Sequence, residues 1–437
     1  MKKCNTTSSF RRLGSGTFSL GTVFRPFLLS QKRRNGWKSV AKFQNVPLPP
    51  FESLQKFYYI YNTMVNNKNM TVVVGMSGGV DSSAAAALLV EQGYNVIGIT
   101  IKTFNYDDVG GSDDNDKSCC SLDGINDARM VAAKLDFPHY VLDFSEAFGA
   151  QVIDNFVEEY MHGRTPNPCV ICNRKIKWEE LIRKSLKLGA DYIATGHYAR
   201  VRKDDQVRRY VISRGKDAQK DQSYALWGLT QDSLRRTIFP LAELTKPESR
   251  AIAERFGLQT AAKGESYEIC FVTDNNYERF LKHKLPHLEE SVAGGDIVMD
   301  GKVVGKHRGF PFYTVGQRKG IGVAFPEPVY VTGINYRENV ITVGHDGDLL
   351  RTTLTAKKLN LIKYDHLRNG KRLTVKIRYK DTDEAALVTQ IEGEGDGEGV
   401  VRVQFDSPKR AITSGQSVVF YEGDDVVGGA IIDSVEK

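Results

Sequence analysis

The run Gly75-Met76-Ser77-Gly78-Gly79-Val80-Asp81-Ser82-Ser83, placed directly after Thr71-Val-Val-Val, restricts this chain more than any other feature. A short apolar, β-branched run ending at glycine reads as a buried strand. The Ala-rich stretch from Ser82 to Gln92 reads as a helix. Glycines between the two let backbone amides approach an anion closely, and the helix start adds unpaired N–H groups and a positive dipole end. Hydroxyls on Ser77, Ser82 and Ser83 can donate to phosphate oxygens. Asp81 would oppose a bare phosphate, so the expectation is that it holds a Mg²⁺ bridging the phosphates. The run lacks the Gly-Lys-Ser/Thr ending of a Walker loop and the spacing of a dinucleotide fingerprint. A glycine-rich turn with a serine cap is the bland alternative.

Strand and helix patterns alternate from Thr71 onward. Strands are expected at Asn95 to Ile101, His139 to Asp143 and Asp191 to Thr195. Helices are expected over Leu122 to Lys134, Ser145 to Tyr160 and Asn173 to Leu188, with an acidic loop from Asp107 to Lys117. Units of this length imply a parallel sheet covered by helices on both faces. After Cys270 the pattern turns to glycine-punctuated β segments. From residue 350 it becomes short strands, such as Leu373 to Arg378, Gly399 to Phe405 and Gln416 to Tyr421, as in a small antiparallel barrel. The expected organisation is a basic extension over 1–65, an α/β parallel-sheet domain over 66–275, a central β-rich domain over 276–348, and a C-terminal β-barrel over 349–437.

The net charge of +7 is misleading as a sign of RNA binding. Residues 1–51 hold ten Lys or Arg and no acid, so the remainder carries 50 basic and 53 acidic residues. RNA contacts must come from local patches rather than bulk charge. The Ser-, Arg- and Phe-rich extension resembles a transit peptide. A disordered tail, or translation starting at Met64 or Met70, is the favoured account of it. Cytoplasmic placement is therefore expected, with the mitochondrial matrix as the alternative. No run approaches the roughly 20 apolar residues of a membrane helix.

Six cysteines are too sparse for a disulfide-built secreted scaffold. Cys169 and Cys172 form a C-x-x-C, while Cys270 stands alone. Cys172 is expected at a helix start beside Arg174, Lys175 and Lys177, where dipole and cations favour a thiolate. Alternatives are a buried structural thiol at Cys270, half of a zinc site with no second half, a redox pair, or an iron–sulfur cluster on Cys169, Cys172 and Cys270.

The ordered set G-M-S-G-G-V-D-S-S, P-N-P-x-x-x-C-N-x-x-I-K, A-T-G-H-Y-A-R, K-D-Q-S-Y, I-C-F, Y-T-V-G-Q-R-K-G-I-G and G-Q-S-V-V-F-Y resembles the tRNA-specific 2-thiouridylases that act on the wobble uridine. The resemblance implies an ATP pyrophosphatase fold of the HUP type. It implies that Gly75, Met76, Ser77, Gly78, Gly79, Val80, Asp81, Ser82, Ile101 and Gly196 hold ATP. Cys172 matches the family's nucleophile and Cys270 its persulfide carrier, and the two share a transient disulfide. Asn167, Pro168 and Cys169 match the segment that meets the target base. His197, Lys220, Asp221, Gln222, Arg378, Tyr379 and Gln416 match tRNA contacts. A sulfur-relay protein or cysteine desulfurase is the implied donor. Two departures stand out: Cys169 occupies a position that is often Asp, and Gly264-Glu-Ser-Tyr-Glu replaces the usual D-S-T-G before Cys270. The rival readings are an amidating or condensing ligase on the same loop, which would leave the cysteines idle, and a non-catalytic RNA-binding protein built on the barrel.

Overall fold

The computed structural model describes residues 67–110, 121–264, 269–392 and 399–436. The basic extension, Cys4, Cys119 and Cys120, most of the acidic loop, residues 265–268 and the Glu-Gly hairpin tip lie outside the described residues.

Five parallel strands carry the first domain: β1 (Thr71–Gly75), β2 (Asn95–Lys102), β3 (His139–Asp143), β4 (Tyr192–Ala194) and β7 (Thr237–Ile238). They lie in the order β3-β2-β1-β4-β7. Val72, Val73 and Val74 are wholly buried because the sheet is covered on both faces. Val72 and Val74 face α1 (Val80–Glu91), α2 (Leu122–Lys134) and α5 (Lys246–Arg255). Val73 faces the opposite layer, made by the helical runs 145–161 (α3) and 168–187 (α4). The chain runs outward from β1 to β2 and β3, then returns to place β4 on the other side of β1. That reversal opens a crevice at the carboxyl ends of β1 and β4, where open α/β sheets bind ligands.

Both helical runs contain wider π turns, over Gly149–Ile153 and Cys172–Glu180. The second run starts at Pro168, not at Asn173 as the sequence suggested. Proline suits a first helical position because its missing N–H would have no partner there.

The central domain is a four-stranded sheet built from β8 (Asp296–Met299), β9 (Lys302–Lys306), β10 (Tyr330–Asn335) and β11 (Val340–Gly344). The C-terminal strands are β12 (Leu350–Leu361), β13 (Lys371–Lys376), β14 (Glu384–Glu392), β15 (Gly399–Arg410), β16 (Ser417–Glu422) and β17 (Asp425–Val435). They close into a barrel in which β12 pairs with both β15 and β17. Closure gives each of the six barrel strands a paired neighbour on both sides.

Several elements between Thr195 and Cys270 escaped the sequence reading, among them β7 and α5. The hairpin of β5 (Ala199–Asp204) and β6 (Arg209–Arg214) leaves the first domain and pairs with β17 through Ser213 and Asp425. Its charged outer positions masked a strand pattern that alternates only weakly. The Ser213 hydroxyl donates to Asp425 at 2.6 Å, and Arg202 and Lys363 reach the same carboxylate. The barrel is thereby joined to the nucleotide-type domain.

Candidate active site

The glycine-rich loop occupies the crevice between β1 and β4. Met76 N–H donates to the Ile99 carbonyl, and Thr100 Oγ1 donates to the Met76 carbonyl, both at 2.8 Å. The loop is therefore stitched to β2 before it turns. Gly78 has φ +70°, and a Cβ there would sit 2.1 Å from the Gly124 carbonyl oxygen. Only glycine can occupy that position. Ser82 Oγ and Ser83 Oγ donate to the Gly79 carbonyl at 3.1 and 2.8 Å, while the Ser77 N–H donates to Ser82 Oγ at 3.2 Å. The hydroxyls expected to meet phosphate thus first shape the loop itself. Gly196, at the end of β4, packs so closely on the start of α1 that a Cβ would lie 2.7 Å from the Asp81 carbonyl carbon. Ile101 ends β2 on the same edge of the sheet.

Asp81, expected as a magnesium ligand, is paired within the protein. Lys246 Nζ donates to both of its carboxylate oxygens at 2.8 Å, and the Tyr198 hydroxyl donates to Oδ1 at 2.8 Å. A carboxylate paired in this way would take up a cation only once Lys246 had turned away from it. Burial raises the Tyr198 phenol far above its ordinary pKa, which keeps it a neutral donor. Neither Lys246 nor Lys263, whose ammonium donates to the Gly78 carbonyl at 3.2 Å, was found from the sequence. They lie 165 and 185 residues from the loop positions they touch, and nothing local marks them.

The thiol-bearing segment is held from outside. Thr165 N–H donates to the Ser414 carbonyl at 2.9 Å, and Gln416 Nε2 donates to the Thr165 and Pro166 carbonyls at 2.9 and 3.2 Å. Arg164 bridges Glu159 and Asp433. This anchoring presents Asn167, buried Pro168 and exposed Cys169 at the head of α4. Cys172 sits at the fifth helical position, just past the turn where the dipole acts, so Cys169 is nearer the positive end. Arg174 and Lys175 both pair with Glu179, which reduces the cationic field expected at Cys172. Asn173 is buried, and its Nδ2 donates to the Ala225 carbonyl at 3.0 Å.

Cys172 and Cys270 are half-buried thiols that pack against one continuous core, flanking α3. The Phe271 ring lies 5.7 Å from Phe148 and 5.1 Å from Phe156 of α3, the helix on which the start of α4 also packs. Phe271, the residue after Cys270, and the start of α4, which carries Cys172, thus pack on the same helix, although they are far apart in sequence. The cluster alternative finds no support. Among the described residues no three His, Cys, Asp or Glu side chains gather where they could hold a metal ion.

The residues matched to tRNA contacts are placed unevenly. His197 packs against Trp178 and Phe239, with Nδ1 2.7 Å from Thr195 Oγ1. Burial first, and then the Lys177 charge, hold its pKa well below the usual histidine range. Asp221 accepts from the N–H of Ser223 and of Gly215. Gln222 and Tyr198 exchange hydrogen bonds, each at 3.0 Å. Lys220 N–H donates to Asp217, whose carboxylate also accepts from the Lys246 N–H at 2.9 Å. Residues 220–222 thus build the turn that supports Tyr198 and Lys246. Arg378 pairs with Asp381, and Tyr379 is exposed beside Tyr224. Tyr224 itself is buried, with its hydroxyl donating to the Ser417 carbonyl.

Comparisons with known proteins agree across the chain. A family model described as a tRNA methyl transferase HUP domain matches residues 70–274, a tRNA methyl transferase PRC-barrel domain matches 278–345, and an aminomethyltransferase β-barrel domain matches 351–432. The tRNA-specific 2-thiouridylase MnmA of Salinibacter ruber is 52% identical over 371 residues, covering 84% of this chain and 96% of the relative. Those of Cytophaga hutchinsonii and Amoebophilus asiaticus are 50% and 52% identical, each covering 85% of this chain and 99% and 97% of the relative. At such identity over nearly the whole length of each relative, the chain belongs to the tRNA-specific 2-thiouridylase (MnmA) family.

Proposed function

We propose that this chain is an ATP-dependent tRNA 2-thiouridylase acting on the wobble uridine. The observation that carries the reading is the identity of about half over nearly the whole length of 2-thiouridylase relatives, together with a glycine-rich loop displayed where the sheet order reverses. Family membership supports tRNA as substrate. The exposed base must leave its stack to reach a crevice of this kind, and the 165–169 segment is the part of the surface assigned to meet it. Tyr379 and Arg378 at the barrel rim, together with Gln416, are assigned to the RNA side. His197 and residues 220–222 act behind them as supports. The reading divides the chain into domains at 66–275, 276–348 and 349–437, after an extension over 1–65.

ATP enters as its magnesium complex, the metal travelling with the substrate. The uridine 2-oxygen attacks the α-phosphorus and pyrophosphate leaves, so carbon 2 now bears a good leaving group, AMP. A sulfur-relay protein or cysteine desulfurase has already loaded Cys270 as a persulfide. Its terminal sulfur attacks carbon 2 and AMP departs. The Cys172 thiolate then attacks the Cys270 sulfur, releasing thiolated uridine and leaving a Cys172–Cys270 disulfide. An external dithiol, or two monothiols, returns two electrons to reset it and is itself oxidised to a disulfide. In the alternative order, Cys172 attacks the persulfide first and the hydrosulfide it liberates attacks carbon 2. The reading places the enzyme in the cytoplasm, or in the mitochondrial matrix if the extension is a transit peptide.

The test is nucleoside analysis of tRNA incubated with enzyme, ATP and a persulfide source. Cys172→Ser and Cys270→Ser are each expected to abolish 2-thiouridine while ATP binding stays intact. Full product from either variant would overturn the two-thiol scheme.

A further inference from the structure

A triphosphate carries several negative charges, yet residues 75–83 contain no Lys or Arg and do contain Asp81. One helix start supplies only about half a positive charge. The missing cations are present in the tertiary structure. Lys246 is the first residue of α5, and its side chain lies almost wholly buried against Asp81. Its backbone is fixed by the Asp217 carboxylate and by the capping box of Thr245 and Glu248. Lys263 reaches the loop from the other side, donating to the Gly78 carbonyl and pairing with Asp127. Asp127 belongs to α2, the helix whose Gly124 touches Gly78.

We propose that Lys246 and Lys263 form a two-lysine clamp for the phosphates of the nucleotide, with Asp81 and Asp127 as the carboxylates on which the two ammonium groups rest when no nucleotide is bound. This rests on the ATP-binding reading above and assigns to it residues that the glycine-rich motif does not contain. The arrangement of second partners supports the exchange. If Lys246 turns to a phosphate oxygen, Asp81 keeps the Tyr198 hydroxyl at 2.8 Å. If Lys263 does so, Asp127 keeps Gln259 Nε2 at 2.9 Å. Neither carboxylate is stranded, so releasing each lysine costs less than breaking a pair with no other donor. Lys246 is the inner arm. Lys263, with a side chain 40% exposed, stands at the mouth.

The competing explanation is a strut: Lys246–Asp81 would merely tie α5 to α1. ATP and adenosine separate the two, because adenosine has no phosphates. Calorimetric affinities for both ligands would be measured on the full chain with Lys263→Met, Lys246→Met and the double variant Asp81→Asn/Lys246→Met. The double variant leaves no unpaired buried charge if the single lysine change destabilises the fold. The clamp predicts ATP weakened about 10- to 100-fold in every variant, with adenosine unchanged, as expected for loss of a charge-assisted hydrogen bond. A strut predicts parallel changes for both ligands, and recovery of ATP affinity in the double variant. An unchanged ratio of ATP to adenosine affinity overturns the clamp while leaving the adenylation reading intact. A wild-type chain with no affinity for ATP would end both.

Discussion

The glycine-rich loop and the thiol segment are organised in opposite ways. Residues 75–83 are shaped by short-range bonds: Ser82 and Ser83 donate to Gly79, Ser77 to Ser82, and Met76 to the adjacent strand. Residues 164–169 depend on partners some 250 residues downstream, namely Ser414, Gln416 and Asp433. A loop for a constant ligand such as a phosphate can be fixed locally. The segment that the proposed function assigns to the target base is held by the domain whose rim carries the residues assigned to the RNA. The contrast implies that the two half-reactions can be damaged separately.

The largest expected effect comes from breaking the local loop. Gly78→Ala puts a Cβ onto the Gly124 carbonyl and forces a left-handed φ on alanine. Together these should cost roughly 2–5 kcal/mol, seen as a lower urea midpoint, and should abolish ATP binding. A variant with wild-type stability and ATP affinity would show that the loop is not preorganised as described.

A smaller effect is expected from loosening the remote hold. Arg164→Ala/Gln416→Ala removes the ion pairs and the bonds to the Thr165 and Pro166 carbonyls. Thiolation should fall roughly 10- to 100-fold, the scale of a misplaced reacting group, with ATP affinity unchanged. If ATP affinity fell in step with thiolation, the two regions would not be separable.

The smallest effect concerns pH. His197 is held neutral on folding, so the unfolded chain binds more protons below the ordinary histidine pKa. Stability is therefore full above about pH 6.5 and declines as pH falls below it. Over pH 6.5 to 5 the loss is at most about 2 kcal/mol, at 1.4 kcal/mol per unit. Unfolding midpoints of wild type and His197→Gln should converge toward pH 5. In the barrel, burial raises the Glu422 pKa, but bonds from Lys363, Lys371 and Tyr364 outweigh it and bring the group to about 2. Its contribution is present above about pH 4.5 and is lost as pH falls from there toward 2, so the barrel's acid loss should begin later than that of His197.

Much of the fold was legible because it is local. Three consecutive valines, a glycine-serine turn and an alanine-rich helix can be recognised in isolation, and the parallel strands followed from the spacing of such units. The β5–β6 hairpin was missed because the alternation Ala199-Arg200-Val201-Arg202 is short and ends in the charged pair Lys203-Asp204; its pairing with β17 rewards burial that no window of sequence contains. The start of α4 was misplaced by five residues, since Pro168 looks like part of a loop until a helix is seen to follow it.

The cysteines, the loop and their order along the chain were determined by the sequence alone, as was the family they resemble. Only the tertiary structure decided that Asp81 answers Lys246, that residues 220–222 support a tyrosine, and that the barrel grips Thr165 and Pro166. The reason is physical. Backbone patterns declare themselves over a few residues, whereas the partner of a charge or a buried carbonyl is chosen by whichever distant group the finished fold brings within about 3 Å.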